Sequence, residues 1–434
     1  MATAVDLSPG DIQGLCQRFL AEKQVEKPKQ FGFKVLHWSV KPLSDAPAGF
    51  LGRHQILCVK IQYDVNDPDA LVDHKIEKLR FFIKSAPTDV VSSWEYLEEF
   101  GVFKKEIEVY RDVLPMLQQN FTSVAPRCYF ADHNILVFEH LTLQGYRMSA
   151  ERDGLLNYEH LNCVLKTLAI MHASSIVHEV REGKKLHEQF PKAVTENAYP
   201  NGVGDMHVRI QNFNNGIKVF CEMVKLMPKY RDNLATILEE LPRRMLAIFT
   251  LAQQSSKYQN VFSHGDLWAN NIMFRYGKFG ETPIECRFVD FQLARYAPAM
   301  VDVITVLTIP TSRSFRERYM HELLCDYYRF MSEFLCREQL NIEDFMPRAE
   351  FFDSVEEFRI VGLIESCLFS HLTILPEEST RKLTGSTDGF SDFFARKRVE
   401  ICMNAFATDP IYRERLTDML EDFVDNFVLK SKES

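Results

Sequence analysis

The residues able to do chemistry concentrate in two short stretches of this 434-residue chain. The first, Phe262 to Phe274, reads FSHGDLWANNIMF and contains H-G-D-x-x-x-x-N, with Asp266 five residues before Asn271. The second, Arg287 to Arg295, reads RFVDFQLAR and sets Asp290 where a strand gives way to a loop. Phosphoryl transfer needs this set of groups. One carboxylate accepts or orients the acceptor hydroxyl, while an amide oxygen and a second carboxylate hold Mg2+ against the phosphates. Carboxylate and carbonyl oxygens are the ligands that magnesium prefers. The plain alternative is a set of turn residues, since Asp and Asn are common in turns. Against it, Ile272, Met273, Phe274, Val289 and Phe291 surround the polar groups with apolar ones. Burying such groups without partners costs on the order of 2–7 kcal/mol each.

This chemistry also asks for a lysine on the phosphates and a carboxylate to orient it, and the upstream sequence offers both. Lys84 ends a strand in FFIKSAP, and Glu106 lies on the following helix in FKKEIEVY. Either residue alone reads as a solvated end or face; their order ahead of HGD and VDF gives them meaning. Glu108 lies about 200° from Glu106 around a helix of 3.6 residues per turn. Only one of the two can face the lysine, and Glu106 is the expected one. Gly49 and Gly52 lie between the first two strands, where a phosphate-covering loop belongs, but GFLG matches no glycine-rich phosphate motif. A plain turn and a phosphate clamp both remain open there. Leu136 to Leu141, LVFEHL, is either a buried strand or a crossing point whose Glu139 and Leu141 backbone groups bond adenine.

Elements must hold these residues in place. Pro9 suits the first turn of an N-terminal helix, and Ser8 with Asp11 forms an S-x-x-D box. Strands are expected over Phe31–Val40, around Leu57–Tyr63 with its two-residue alternation, and over Leu79–Lys84. A helix follows from Trp94 to Leu114, with Phe103, Ile107 and Tyr110 on one face. Two strands come next, around Arg127–Phe130 and Ile135–Leu141. Asn157 caps a helix over Tyr158–Ser175, a loop-like stretch runs from His178 to Gly204, and helices continue to about Ser256. A short β-rich island over Val261–Phe291 carries the chemistry, and everything after Pro298 reads helical. The class is therefore α+β, with a small antiparallel sheet portion (1–140) and a large helical portion (141–434) holding the catalytic loop 262–274 and the metal-binding loop 287–295.

Composition narrows the possibilities. Apolar residues make up 46% and charged residues 26%, values of an ordinary globular chain. There are 51 basic and 60 acidic residues, a net charge of −9, which disfavours a nucleic-acid partner. No apolar run is long enough for a membrane span, and the first 15 residues lack the pattern of a secretory signal. The ten cysteines form no C-x-x-C pair, so reduced thiols in a cytoplasmic protein are expected. Cys367 and His371, four apart, read as core residues.

At these motifs the chain resembles the protein-kinase-like superfamily, and within it the aminoglycoside phosphotransferase and choline kinase branch. More narrowly it is similar to the ecdysteroid kinase-like (CHK-kinase-like) family of insects. FFIKSAP, FKKEIEVY, LVFEHL, LAIMHASS, FSHGDLWANNIMF and FVDFQLARYAPAMVD carry the resemblance, from about residue 30 to the C-terminus. It implies a bilobal kinase-like fold with ATP and Mg2+ as cofactors. It further implies Asp266 as catalytic base, Asn271 and Asp290 as metal ligands, and Lys84 on the α- and β-phosphates, oriented by Glu106. His264 is then structural, and Asp302 either braces the catalytic loop or is an acidic residue favoured at a helix N-terminus.

Three departures from protein kinases point to a small acceptor. Gly265 replaces the arginine of H-R-D, Gln292 replaces the glycine of D-F-G, and only 12 positions separate Asp290 from Asp302, with no A-P-E. The resemblance therefore implies transfer of the γ-phosphate of ATP to a hydroxyl of a small molecule, an ecdysteroid or related steroid or xenobiotic alcohol. The 34 Phe and 15 Tyr could wall an apolar pocket, although aromatics fill cores as well. The alternatives are a choline- or aminoglycoside-type kinase, a nucleotide-dependent binding protein without catalysis, and a protein kinase. No protein partner and no membrane association are expected, and the acceptor pocket is expected from helices between about Gly204 and Met245 and after Ile309.

Overall fold

The computed structural model describes residues 7–23, 32–43, 52–64, 74–87, 100–118, 123–132, 134–149, 153–278, 280, 282–384 and 389–430. The first helix runs over Pro9–Lys23. Its capping box closes as expected, with Ser8 N donating to Asp11 Oδ2 at 2.9 Å and Asp11 N donating to Ser8 Oγ at 3.2 Å. Three long strands follow: β1 (Phe33–Pro42), β2 (Arg53–Asp64) and β3 (His74–Ser85). After a helical stretch over 102–117 come β4 (Cys128–Asp132) and β5 (Ile135–Glu139). All five pair antiparallel in the order β1-β2-β3-β5-β4. The alternation read in β2 is real: Leu57, Val59 and Ile61 are buried on the face that the first helix covers through Ile12, Leu15 and Cys16. β3 starts at His74, earlier than Leu79, because its charged first half pairs with the outer half of β2.

The helix over 102–117 is α-helical at Val102–Glu108, π-helical at Val109–Val113 and α-helical again at Leu114–Leu117. Its earlier stretch, from Trp94 to Glu99, lies outside the described residues. Phe103, Ile107 and Tyr110 are buried, as their spacing requires.

The rest of the chain is mainly helical around one extended core. The helix Tyr158–Glu182 is capped by Asn157, whose side chain accepts from His160 N at 3.0 Å. It continues seven residues past Ser175, because Ile176 and Val177 stay buried. The stretch 178–204 is therefore less loop-like than expected, with two further short helices at Leu186–Gln189 and Pro191–Val194. Helices Val208–Lys225, Leu234–Met245, Ala299–Thr308, Arg313–Arg337 and Arg348–Thr373 complete the bulk.

The β island takes two pieces. The strands β6 (Tyr146–Arg147), β8 (Ile272–Tyr276) and β9 (Pro283–Phe288) form one small sheet. The strands β7 (Asn260–Ser263) and β10 (Arg295–Pro298) form a second. This is the expected α+β architecture. Among the described residues, no single helix is long and apolar enough to cross a membrane.

Candidate active site

The loop between β7 and β8 carries His264, Asp266 and Asn271, and the exit from β9 carries Asp290. The β8–β9 hairpin brings the two together: Ile272 pairs with Phe288, and Val289 N donates to Asn271 O at 3.0 Å. Asn271 donates its side-chain amide to the Asp266 carbonyl at 2.8 Å, which leaves its Oδ1 for another partner. Asp290 sits at φ 69°, a left-handed conformation that Asp tolerates better than most residues. It opens the short 3-10 turn Phe291–Leu293.

Asp266 is 4% exposed, and its Oδ1 finds no hydrogen-bond partner among the described residues. Its Oδ2 receives only a long contact, 3.5 Å, from the Gln292 amide. Burial, and then the Asp290 charge, push the Asp266 carboxyl well above the usual carboxylate range. A buried acceptor with a free lone pair is an expensive feature, and such features cluster where a substrate proton is taken up.

The backbone around Asp266 is fixed by its neighbours. His264 donates Nε2–H to Val289 O at 3.0 Å, and its Nδ1 accepts from Asp266 N at 3.2 Å. A carbonyl can only accept and an amide N–H can only donate, so this pairing assigns the neutral Nε2–H tautomer. Burial agrees, pulling the His264 imidazolium down to about 4. Asp302 lies in the first turn of Ala299–Thr308 and accepts from His264 N at 2.6 Å and Gly265 N at 3.0 Å. Both sequence readings of Asp302 are therefore true at once. Burial alone would raise its carboxyl, but the His172 hydrogen bond and the charges around it hold it below the usual range.

Gly265 has φ +77°, and a Cβ built on it would lie 2.1 Å from the Leu293 carbonyl oxygen. The arginine of H-R-D cannot fit at this position. A buried cation, Arg295, lies against it, its guanidinium donating to Gly265 O at 3.2 Å, Glu196 at 2.9 Å and Glu365 at 2.9 Å. Gly265→Ala combines a strained left-handed residue with a backbone collision, a cost of at least about 2 kcal/mol. We expect its urea midpoint to fall and the Asp266 loop to shift; a midpoint equal to wild type would show that Leu293 yields without cost.

The sheet side meets this loop at Lys84. Its Nζ bonds Glu106 Oε2 and Asp290 Oδ1, both at 2.7 Å. Burial works against the ammonium, but Asp290 and Glu106 more than offset it and hold Lys84 charged. Burial pushes the Glu106 carboxyl up to about 7, with Lys84 opposing. Glu108 is only half-buried, so the choice of Glu106 by helix geometry agrees with the contact. Gly52 lies against the Lys84 stem: a Cβ there would come within 3.1 Å of Lys84 Cε. Gly49 lies outside the described residues. Glu139 commits its N–H to Arg127 O at 2.9 Å and its carboxylate to Arg127 N at 2.8 Å and to the Gln144 amide at 2.6 Å. Leu141 is buried where β5 leads into the helical portion. A run of rings connects the two sides. Tyr110 meets Phe138 at 4.6 Å and Phe291 at 5.5 Å, and Phe291 meets His264 at 4.4 Å.

The donor set fits a magnesium ion. Asn271 Oδ1 and the partly exposed Asp290 carboxylate are hard oxygen donors, and Mg2+ bound with a nucleotide takes one or two carboxylates, with waters and phosphates as its other ligands. Away from the site, His371 is a core residue: Nδ1 donates to Cys367 O at 3.0 Å and Nε2 accepts from Arg398 at 2.8 Å.

Sequence reading missed Lys105, Arg295, Glu196 and Glu365, and saw Gln292 only as a departure from D-F-G. Arg295 left one signal, a single charge inside the apolar run Leu293–Pro298. Lys105 left none, because charged residues on a helix usually face water.

No curated protein matches the chain. Among solved structures, aminoglycoside 2'-phosphotransferase-IIIa in its wild-type GDP complex shares 12% identity, covering 95% of this chain and 99% of its own, at a TM-score of 0.35. A mutant of the same enzyme, also with GDP, shares 12% over 91% and 98%, at 0.34. A microcompartment-associated aminopropanol kinase shares 12% over 90% and 99%, at 0.32. The model of the ecdysteroid kinase-like family matches residues 55–341, more than half of the chain and the whole of the site from Lys84 to Asp302; the chain belongs to the ecdysteroid kinase-like family.

Proposed function

We propose that this protein is an ATP- and Mg2+-dependent kinase that transfers the γ-phosphate to a hydroxyl of a small molecule, with an ecdysteroid or a related steroid or xenobiotic alcohol as acceptor. The observation that carries the reading is the ion-paired cluster of Lys84, Glu106 and Asp290 beside a buried Asp266, on which the Asp290 charge acts and whose Oδ1 has no partner among the described residues. Family membership supports a small-molecule kinase; the choice of acceptor rests on the family's name and on the short link from Asp290 to Asp302, which leaves little room to dock a peptide.

Each residue then has a task. Lys84, held charged, binds the α- and β-phosphates, and Glu106 keeps it on the sheet side when Asp290 turns to the metal. The carbonyl of Glu139, whose N–H is taken by Arg127, and the N–H of Leu141 are the backbone groups offered to adenine, and Gly52 leaves room beside Lys84 for the phosphates. Asn271 and Asp290 hold the magnesium ion, which neutralises phosphate charge. Asp266 Oδ1 accepts the hydrogen bond of the acceptor hydroxyl, aims its oxygen at the γ-phosphorus and takes up the proton as the new O–P bond forms and the bond from the γ-phosphorus to the leaving ADP oxygen breaks. His264 and Asp302 keep that loop in position. The residues up to about 140 act as the nucleotide-covering part, and we place the activity in the cytoplasm.

The test is transfer of radiolabelled γ-phosphate with Mg2+ to separate pools of ecdysteroids, plant phenolics, choline and aminoglycosides. Transfer to the ecdysteroid or phenolic pool is expected; transfer only to choline or aminoglycosides overturns the acceptor, and no transfer to any pool overturns the activity. A second prediction concerns Asp290. ATP at about 100 times its Kd stabilises a protein by about 2.7 kcal/mol. In Asp290→Ala the magnesium-dependent part of that thermal shift should vanish; an intact shift would assign the metal to another carboxylate.

A further inference from the structure

Lys105, next to Glu106 in sequence, points away from the nucleotide side. It is 5% exposed, yet its Nζ has three oxygen acceptors: Thr195 O, Asn197 Oδ1 at 2.9 Å and Ala294 O at 2.8 Å. Three acceptors use all three N–H bonds of an ammonium, whereas a neutral amine would turn its lone pair on one of them. Burial pulls Lys105 down to about 7, with Glu196 opposing and Arg295 and Arg209 adding to the fall. A buried cation held at such a cost needs its partners fixed.

Those partners belong to two segments that matter. Ala294 ends the turn that Asp290 opens. Residues 195–199 are clasped from three sides: Asn197 donates to Phe100 O at 3.0 Å, Arg295 binds Glu196, and Glu196 Oε1 accepts from Ala198 N and Tyr199 N. The Tyr199 ring lies 5.7 Å from the Arg295 guanidinium that holds Gly265 O. Beyond Tyr199 the chain runs through the exposed apolar residues Val203 and Met206 into the helix Val208–Lys225.

We infer that Lys105 is a positioning residue that ties the helix carrying Glu106 to the 195–199 segment and to the turn after Asp290, so that the geometry of Glu106 and that of the loops carrying Asp266 and Asp290 are set together. Glu106 and Lys105 then use adjacent positions of one helix to hold the two halves of the site.

The test is hydrogen exchange on the full chain, comparing wild type, Lys105→Met and, as a charge-loss control, Lys104→Met. In Lys105→Met, exchange at 195–199 and 291–295 should rise at least tenfold, while the helix Pro410–Phe423 and the Lys104→Met protein stay at wild-type rates. Unchanged exchange at 195–199, or an equal rise everywhere, overturns the inference. A second readout rests on the kinase reading: MgATP Kd should stay within threefold while phosphate transfer falls at least tenfold. Parallel loss of both overturns the positioning role. If wild type binds no MgATP, the kinase reading fails and exchange alone decides the tie. Should Lys105→Met not fold, Asn197→Ala, which removes one acceptor and the Phe100 bond, should raise exchange at 195–199 at least threefold; wild-type rates there overturn the inference.

Discussion

Asp266→Asn should lose phosphate transfer by about 10²- to 10⁴-fold, the range expected when a positioned general base is removed, while MgATP still binds. The same substitution should raise the melting temperature. The wild-type carboxylate is buried, its Oδ1 has no partner among the described residues, and Asp290 repels it. An amide of the same shape removes the repulsion and the burial cost of a charge. A loss of activity joined to a gain in stability is the signature of a site kept for chemistry at the expense of folding free energy. Kinetics and calorimetry on the same preparation check both halves. Turnover within threefold of wild type would remove Asp266 from its role, and a clear fall in melting temperature would show that the carboxylate is stabilised by groups outside this account.

Arg295→Met should be the most destabilising single change near the site. Arg295 is 1% exposed and is bonded to both the fully buried Glu365 and Glu196, whose side chain is 9% exposed. Removing one partner of a buried ion network typically costs about 3–5 kcal/mol, because it leaves the opposite charges without compensation. The loss should reach activity too, since Gly265 O loses a donor beside Asp266. Denaturant unfolding measures the first effect. The double variant Arg295→Met with Glu365→Leu should recover part of the stability, because an apolar pair of similar volume can replace a buried ion pair. A single variant within about 1 kcal/mol of wild type would show that water or rearrangement reaches both carboxylates, against their burial.

The sequence by itself determined the order of the main elements and which residues to propose as the primary groups of the site. Period-two alternation in β2, the 103–107–110 spacing and the Asn157 cap are local patterns, and local patterns survive in a string of letters. Asp266, Asn271 and Asp290 were legible because one hairpin brings them together and their chemistry needs fixed types at short spacing. Lys84 and Glu106 were legible by order, and the angle between helix positions separated Glu106 from Glu108. Tertiary structure decided the rest. Gly265 must be glycine because the Leu293 carbonyl passes within 2.1 Å of where a Cβ would stand, an approach set by β7 pairing with β10. Arg295 is a buried cation because Glu365, 70 residues later, meets it from the helix Arg348–Thr373. Lys105 faces inward because Thr195 and Asn197, about 90 residues later, and Ala294, 189 residues later, bring three oxygens to it. Such partners are chosen by packing between distant elements, which leaves no period, cap or spacing in the sequence around either residue.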